Sequence, residues 1–480
     1  MGFFNSESKT MNPVPLFGLG LQGKSTTVTS QNHLNLYAEI TPEGEKSRIA
    51  FHNAPGLILF TSFGDTPVRG WIPVGDFIYV VHRGTFYEVN NAGVKTIRGT
   101  IPTTTGRVQM AFNGTQIALV DGGGVRFFNY TIATLTLSTV TVNVISTPID
   151  ITFQDGYGIL FYADGRFQIT AGYAFQTLDA LEFATAESNP DGLVRGISDH
   201  GEIVLLGAST VEFWGNTGAR DFPYANQRGS TLEFGLAAPW SCVKYNDSLC
   251  GLFKNTMGQV QVMVMQGHAL RKISSPDLDY LINNYGSVSD ATGYSYMLAG
   301  HPMYQINFPS AGKTWLYDAT TEMWSALQSG LSGVRHRGEL LIDYLNKPRI
   351  ADFATGDIYT LSADALTDNG TPIAREIITR HLSGTGGRLA VHKLQVDFEV
   401  GVGLISGQGS SPQVMLQISK DNGKTYGNER WTTLGAIGAY LTRAIWQRLG
   451  ASYDWTFKLR ITDPVKVVIT AAYMDVERRK

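Results

Sequence analysis

Apolar and polar positions alternate in short runs along most of this chain, and the runs come in pairs. Four stretches show the pattern: "GWIPVGDFIYVVHRGTFYEVN" over 70–90, "VQMAFNGTQIALVDGGGVRFFN" over 108–129, "DITFQDGYGILFYADGRFQIT" over 150–170 and "VRGISDHGEIVLLGASTVEFWG" over 194–215. Each reads as an apolar strand, a turn built on Gly or Asp, and a returning strand. The starts fall at 70, 108, 150 and 194. Short strands repeating about every 40 residues predict the blades of a β-propeller. The stretches 238–274, 294–327 and 350–362 carry weaker versions. About six units are therefore expected between 57 and 365.

Two departures from the repeat stand out. "SPDLDYLINNYG" predicts a helix, with Ser275 or Pro276 at its start and Gly286 at its stop. Residues 217–241 are polar and Gly-rich, and predict a long loop between blades. Beyond residue 371, period-2 runs such as "KLQVDFEVGVG", "QVMLQISKD", "FKLRITD" and "VKVVITAAYMDVE" predict a separate antiparallel sheet structure, with 401–412 as a flexible loop. The expected fold class is mainly β: a β-propeller-like body with an N-terminal arm and a C-terminal antiparallel β-sandwich domain. The expected units are 1–56 (arm or platform segment), 57–370 (propeller-like body) and 371–480 (sandwich).

Composition supports a β-rich chain with many tight turns. Of 480 residues, 53 are Gly, 11% are aromatic and only 16% are charged. The net charge of −3 hides an asymmetry. Residues 1–370 hold 23 Lys and Arg against 32 Asp and Glu, whereas residues 371–480 hold 15 against 9. An acidic body and a basic C-terminal piece fit either subunit docking or avoidance of a polyanion. Cys242 and Cys250 flank an Asn246-Asp247-Ser248 turn, and read as two buried reduced thiols across a hairpin. The start "MGFFNSESKT" lacks the basic and apolar regions of a secretory signal. The chain is expected to be soluble and made in a cytoplasm.

Two motifs invite a chemical reading. "GLGLQGKS" at 18–25 matches the string of a phosphate-binding P-loop. Its upstream "MNPVPLF" is a poor central strand, and its downstream "STTVTSQNH" a poor helix. Lys24 is thus expected to be an ordinary exposed or interfacial charge. "SKDNGKTY" at 419–426 fits the Asp-box of sialidases and other propellers, with Asp421 accepting backbone N–H bonds and Gly423 taking a positive φ. One box without an arginine cluster or a marked pair of carboxylates leaves a carbohydrate-active propeller enzyme as an alternative reading, with a P-loop ATPase behind it. "AESNPDG" at 186–192 reads as a turn. No spacing marks a metal site, and the basic clusters are too thin for a sequence-specific DNA reader. No catalytic, cofactor-binding or metal-ligating residue is assigned.

Four blocks together resemble the tail hub or nozzle proteins of short-tailed bacteriophages, the packaged-DNA stabilisation proteins. The first runs from Asn35-Leu36-Tyr37 to Pro55-Gly56. The second is the turn Glu187, Pro190, Asp191, Gly192 leading to "GASTVEFWG". The third is the box with Asp421 and Gly423. The fourth is "AIWQRLGASYDWTFKLRITDP", with Trp446, Arg448, Gly450 and Arg460. A departure falls at 452–455, where "SYDW" stands in place of expected basic residues. The resemblance implies a virion structural protein and no enzyme. It implies a homo-hexamer below the portal-adaptor (head-to-tail connector) ring, contacting a tail fibre or tailspike and a tail needle or plug protein. Double-stranded DNA would pass through its lumen without sequence specificity. No membrane anchor or cofactor is implied, and the 217–241 segment becomes a candidate nozzle tip or partner dock.

Overall fold

The computed structural model describes residues 11–45, 47–142, 146–186, 192–220, 222–331, 333–384 and 386–479. Seven antiparallel sheets follow one another around a ring. Their innermost strands are, in order, Val68–Val74, Gln109–Phe112, Pro148–Gln154, Leu193–Asp199, Gly235–Leu236, Thr292–Leu298 and Gly338–Tyr344. The seventh inner strand returns to the first, so the ring closes. The expected count of about six is one short: the seven stretches named above fall one in each blade, and the seventh blade is assembled from distant pieces of chain. Three of its strands, Gly338–Tyr344, Lys347–Asp352 and Asp357–Ser362, are joined by Gly56–Ser62 as the fourth.

The second strand of each blade explains the apolar runs. Gln116–Val120 is buried at every position, and Phe77–His82, Tyr157–Tyr162 and Glu202–Gly207 are buried at all but the first. Alternate residues feed different cores. Tyr79 and Val81 join Ile117 and Leu119 between the first two blades, while Ile78 and Val80 face Leu340 and Ile358 of the seventh. Ala118 and Val120 turn to the third blade. A strand covered on both faces carries a continuous apolar run, as these do. Outer strands have one neighbour and stay wet: in Thr136–Thr141 only Val140 is buried.

The fifth blade is irregular. Pro239 starts a single 3₁₀ turn, Pro239–Ser241, just after the two-residue inner strand. Val243 pairs with Cys250 across the expected turn, and both thiols are buried and free. The helix forms over Pro276–Asn283. Ser275 caps it by accepting the N–H of Leu278, and Leu278 and Ile282 are buried. Residues 217–241 are more structured than a free loop: Tyr224–Asn226 is the outer strand of the fourth blade, and Leu232 bridges to Val211.

Two further layers make the sandwich. One orders Leu36–Ile40, Ile49–Asn53, Val468–Arg479, Arg388–Phe398 and Ala444–Ser452; the short strand Asn12–Pro13 also pairs with Val468–Arg479. The other contains Arg375–Ile378, Asp454–Ile461, Gln413–Ser419 and Arg430–Thr433. Between them lies a core that includes Phe51, Leu394, Trp446, Trp455 and Phe457. The second layer is continuous with the sixth blade through one three-residue strand, Asn32–Leu34. That strand pairs with Arg375–Ile378 on one side and bridges Ala326 on the other.

Candidate functional site: the junction of propeller and sandwich

Residues 11–62 strap the two halves together. Leu16 and Phe17 pack in the sandwich core, and Leu21 packs with Leu278 and Ile282 between the fifth and sixth blades. Strand Asn32–Leu34 then joins the sheets, and Gly56–Ser62 closes the ring. Asn35 sits at the centre of this path, 2% exposed and with φ 53°. An asparagine side chain tolerates that left-handed conformation better than most. Its Nδ2 donates to the Ala374 carbonyl at 2.7 Å, and its Oδ1 accepts from the Gln328 N–H at 2.9 Å. Its own N–H donates to Ala326, and its carbonyl accepts from Ala54. One residue therefore ties the sixth blade, the sandwich connector and the closing strand.

Its neighbours divide between the halves. Leu36 enters the sandwich core, while Tyr37 enters the core between the sixth and seventh blades. The Tyr37 ring meets His301 edge-on at 5.5 Å, and His301 contacts Asp318 at 2.8 Å. Pro55-Gly56 has a steric reason: a Cβ on Gly56 would lie 2.5 Å from the Thr367 carbonyl and 2.6 Å from that of Ala365. Beneath Asn35 two charged side chains are each 1% exposed, Asp368 and Arg375. Burial pushes the Asp368 carboxyl up to about 6 and the Arg375 guanidinium down to about 10. Arg375 donates to the Leu366 and Asp463 carbonyls. The sequence carries little signal for this pair: Arg375 stands beside Glu376 in the strand-forming run "TPIAREII", and Asp368 sits in the turn before it.

The other motif residues are structural. Asp421 accepts from the Thr425 hydroxyl at 2.5 Å, from the Thr425 N–H at 2.9 Å and from Ser419 Oγ at 2.7 Å, and these bonds hold its carboxyl well below the usual range. Gly423 takes φ 78° and its N–H donates to Ser419 Oγ. The box is a hairpin turn closed on itself. Trp446 is buried, and its indole N–H donates to the Arg430 carbonyl of the facing sheet at 2.8 Å. Arg448 and Gly450, with φ 57° and 97°, bracket a β-bulge opposite His392. Arg460 donates to the Leu331 carbonyl, beyond the last strand of the sixth blade. Gly192 accepts from the Ala208 N–H, and Glu187, Pro190 and Asp191 lie outside the described residues. In the departure "SYDW", Trp455 is fully buried in the sandwich core with Lys420 above its ring, and Tyr453 is exposed.

No phosphate cradle forms at 18–25. Ser25 accepts the Val28 and Thr29 N–H groups in a turn, and no helix follows. The glycines make room for side chains: a Cβ on Gly18 would fall 2.3 Å from Arg380, on Gly20 2.5 Å from Gln31, and on Gly23 2.1 Å from Asp277. Among the described residues, no three His, Cys, Asp or Glu side chains gather as a metal site. Among the described residues, no helix is long and apolar enough to cross a membrane.

One outer face is apolar. The sandwich loops 401–412 and 435–443 touch, through the Gly438 N–H to the Gly401 carbonyl, and expose Ile405, Ile437, Tyr440 and Leu441.

Known proteins resemble this chain in both halves. Residues 13–366 match the family described as "Bacteriophage P22 Gp10, beta-propeller", and residues 374–477 match "Bacteriophage P22 Gp10, beta-sandwich". The tail hub protein gp10 of Salmonella phage P22 is 24% identical over 305 residues, covering 61% of this chain and 62% of that protein. Among solved structures, a streptogramin B lyase aligns with TM-score 0.45 at 12% identity over 64% of this chain and 98% of its own. The WD40 propeller of Doa1 aligns with TM-score 0.42 at 12% identity, over 64% and 97%.

Proposed function

This chain belongs to the bacteriophage P22 Gp10 family of tail hub proteins, and from that premise we propose that it forms the hub or nozzle of a short-tailed phage. It assembles as a homo-hexameric ring below the portal and its adaptor ring, extends the DNA channel, and helps retain packaged DNA. Outside, it docks tail fibres or tailspikes, and at its tip it meets a needle or plug protein. It is assembled in the host cytoplasm and ends in the virion. Its role is structural, without catalysis.

The family match across both domains carries the reading. Three features support it. Residues 1–370 hold 23 basic against 32 acidic residues, a balance that disfavours adhesion of passing duplex. The junction around Asn35 joins the halves through one continuous sheet, which suits a part that transmits load. The exposed Ile405, Ile437, Tyr440 and Leu441 supply an apolar face for contact with a neighbouring subunit or the adaptor.

Native mass measurement and electron microscopy test the proposal, on the protein alone and mixed with portal-adaptor complexes. Hexameric rings, and co-purification with virions in fixed ratio to the portal, are expected. A stable monomer in every condition would overturn it.

A further inference from the structure

The axis of the propeller opens into a cavity of about 920 Å³. Four inner strands of the propeller carry a register slip near their start: at Val68/Gly70, Pro148/Asp150, Leu193/Arg195 and Gly338/Leu340. A bulge re-aims the residue it carries. In the first blade that residue is Arg69 and in the seventh it is Glu339, and both line the cavity. The lining holds four arginines, at 69, 83, 107 and 335, against two carboxylates, Asp290 and Glu339.

The acids are partly engaged, and among the described residues Asp290 Oδ1 is buried without a hydrogen-bond partner. Asp290 accepts from the N–H and hydroxyl of Ser310, and Glu339 lies 2.8 Å from Arg335. Arg83 pairs with Asp65 at 2.7 Å. Arg69 donates to the carbonyls of Arg83, Thr103, Thr105 and Gly106, which fixes the loop leading to Arg107. Arg107 itself makes no hydrogen bond among the described residues. Its guanidinium lies 4.8 Å from the ring of Trp240, whose ring also takes Arg195 at 5.3 Å. Arg195 has hydrogen-bond partners in Asp150 and the Pro239 and Cys242 carbonyls; Arg107 feels the Glu339 and Asp150 carboxylates only at a distance, without a hydrogen bond. Burial and the facing Arg195 push the Arg107 guanidinium down to about 10, so it remains charged at neutral pH. Arg335 is 7% exposed and stacked on Phe353 at 3.8 Å, and its Nη1 is buried without a partner. A guanidinium held flat against an aromatic ring with free N–H groups is preorganised for a planar or tetrahedral oxyanion.

We propose that this cavity is a binding site for a small molecule bearing an oxyanion, phosphate or carboxylate, which Arg107 and Arg335 hold through charge-assisted hydrogen bonds. The cavity volume falls in the range of small-molecule sites and leaves room for an organic remainder beside the anionic group. The anion would supply the acceptor that Arg335 Nη1 lacks and the hydrogen-bond acceptors that Arg107 lacks.

Calorimetric titration of the full chain with pyrophosphate and with citrate, each at matched ionic strength, tests this and separates the two sources. Saturable binding of at least one, with a dissociation constant below about 1 mM, is expected. R107A and R107Q should weaken it about tenfold or more, and R271A, at the exposed outer side of the fifth blade, should leave it unchanged. Binding should also change tryptophan fluorescence in the parent and not in W240F. Because Arg335 is buried and R335A is expected to misfold in part, the decision rests on Arg107, whose variants should keep the parental melting temperature. No saturable binding up to about 10 mM, unchanged affinity in R107A, or a persistent fluorescence change in W240F would each overturn the proposal.

Discussion

Replacing Asn35 by Ala tests whether one side chain couples the two halves. The substitution strands two buried groups: the Gln328 N–H loses an acceptor at 2.9 Å, and the Ala374 carbonyl loses a donor at 2.7 Å. With the site 2% exposed, water does not replace them. Each stranded group costs about 1–3 kcal/mol. Alanine at φ 53° adds about 1 kcal/mol of backbone strain. The expected loss is about 3–7 kcal/mol. Asn35→Gly loses the same bonds without the strain, so it should be about 1 kcal/mol less damaging. Hydrogen exchange at residues 323–329 reads the effect locally, which avoids assuming that a two-part protein unfolds in one step. At 1.4 kcal/mol per factor of ten, Asn35→Ala should speed exchange there by about a hundredfold or more. An Asn35→Ala protein within about threefold of the parent, or an Asn35→Gly protein as damaged as Asn35→Ala, would refute the reasoning.

Three further outcomes are expected. Asp368 has a folded pKa raised to about 6 by burial, so its protonated form favours the fold fully at low pH and that contribution disappears as pH rises through 6; Asp368→Asn should raise the melting temperature at pH 8 and leave it nearly unchanged at pH 4, and an equal shift at both would exclude the buried carboxyl as the cause. Gly56→Val drives a Cβ into the Thr367 and Ala365 carbonyls and should detach the closing strand, giving new limited-proteolysis cuts near 54–64; a parental digestion pattern would contradict the close approach. Lys24→Ala should change neither thermal stability by more than about 0.5 kcal/mol nor any nucleotide response, and measurable ATP binding by the parent that is lost in this variant would revive the phosphate-loop reading.

Much of the fold was legible in the chain. Apolar runs such as Gln116–Val120 announce strands covered on both faces, and turn residues between them set a local hairpin repeat. The helix at Pro276–Asn283 follows from its Ser-Pro start. What escaped reading was assembled over long distances. The seventh blade takes Gly56–Ser62 from one end of the body and Asp357–Ser362 from the other. The charges that matter most, Asp368, Arg375 and Arg107, carry no motif; burial and missing partners distinguish them.

The sequence by itself determined the elements: short strands, turns, the change of pattern near 371, and the motif turn at Asp421, because these depend on residues within a few positions of one another. The tertiary structure alone decided the closure of the ring, the strap through Asn35, and the meaning of "GLGLQGKS". Its glycines leave space for Arg380, Gln31 and Asp277, side chains that come from just beyond the string and from far along the chain. A string of residues specifies what the backbone can do locally, and only packing specifies what it meets there.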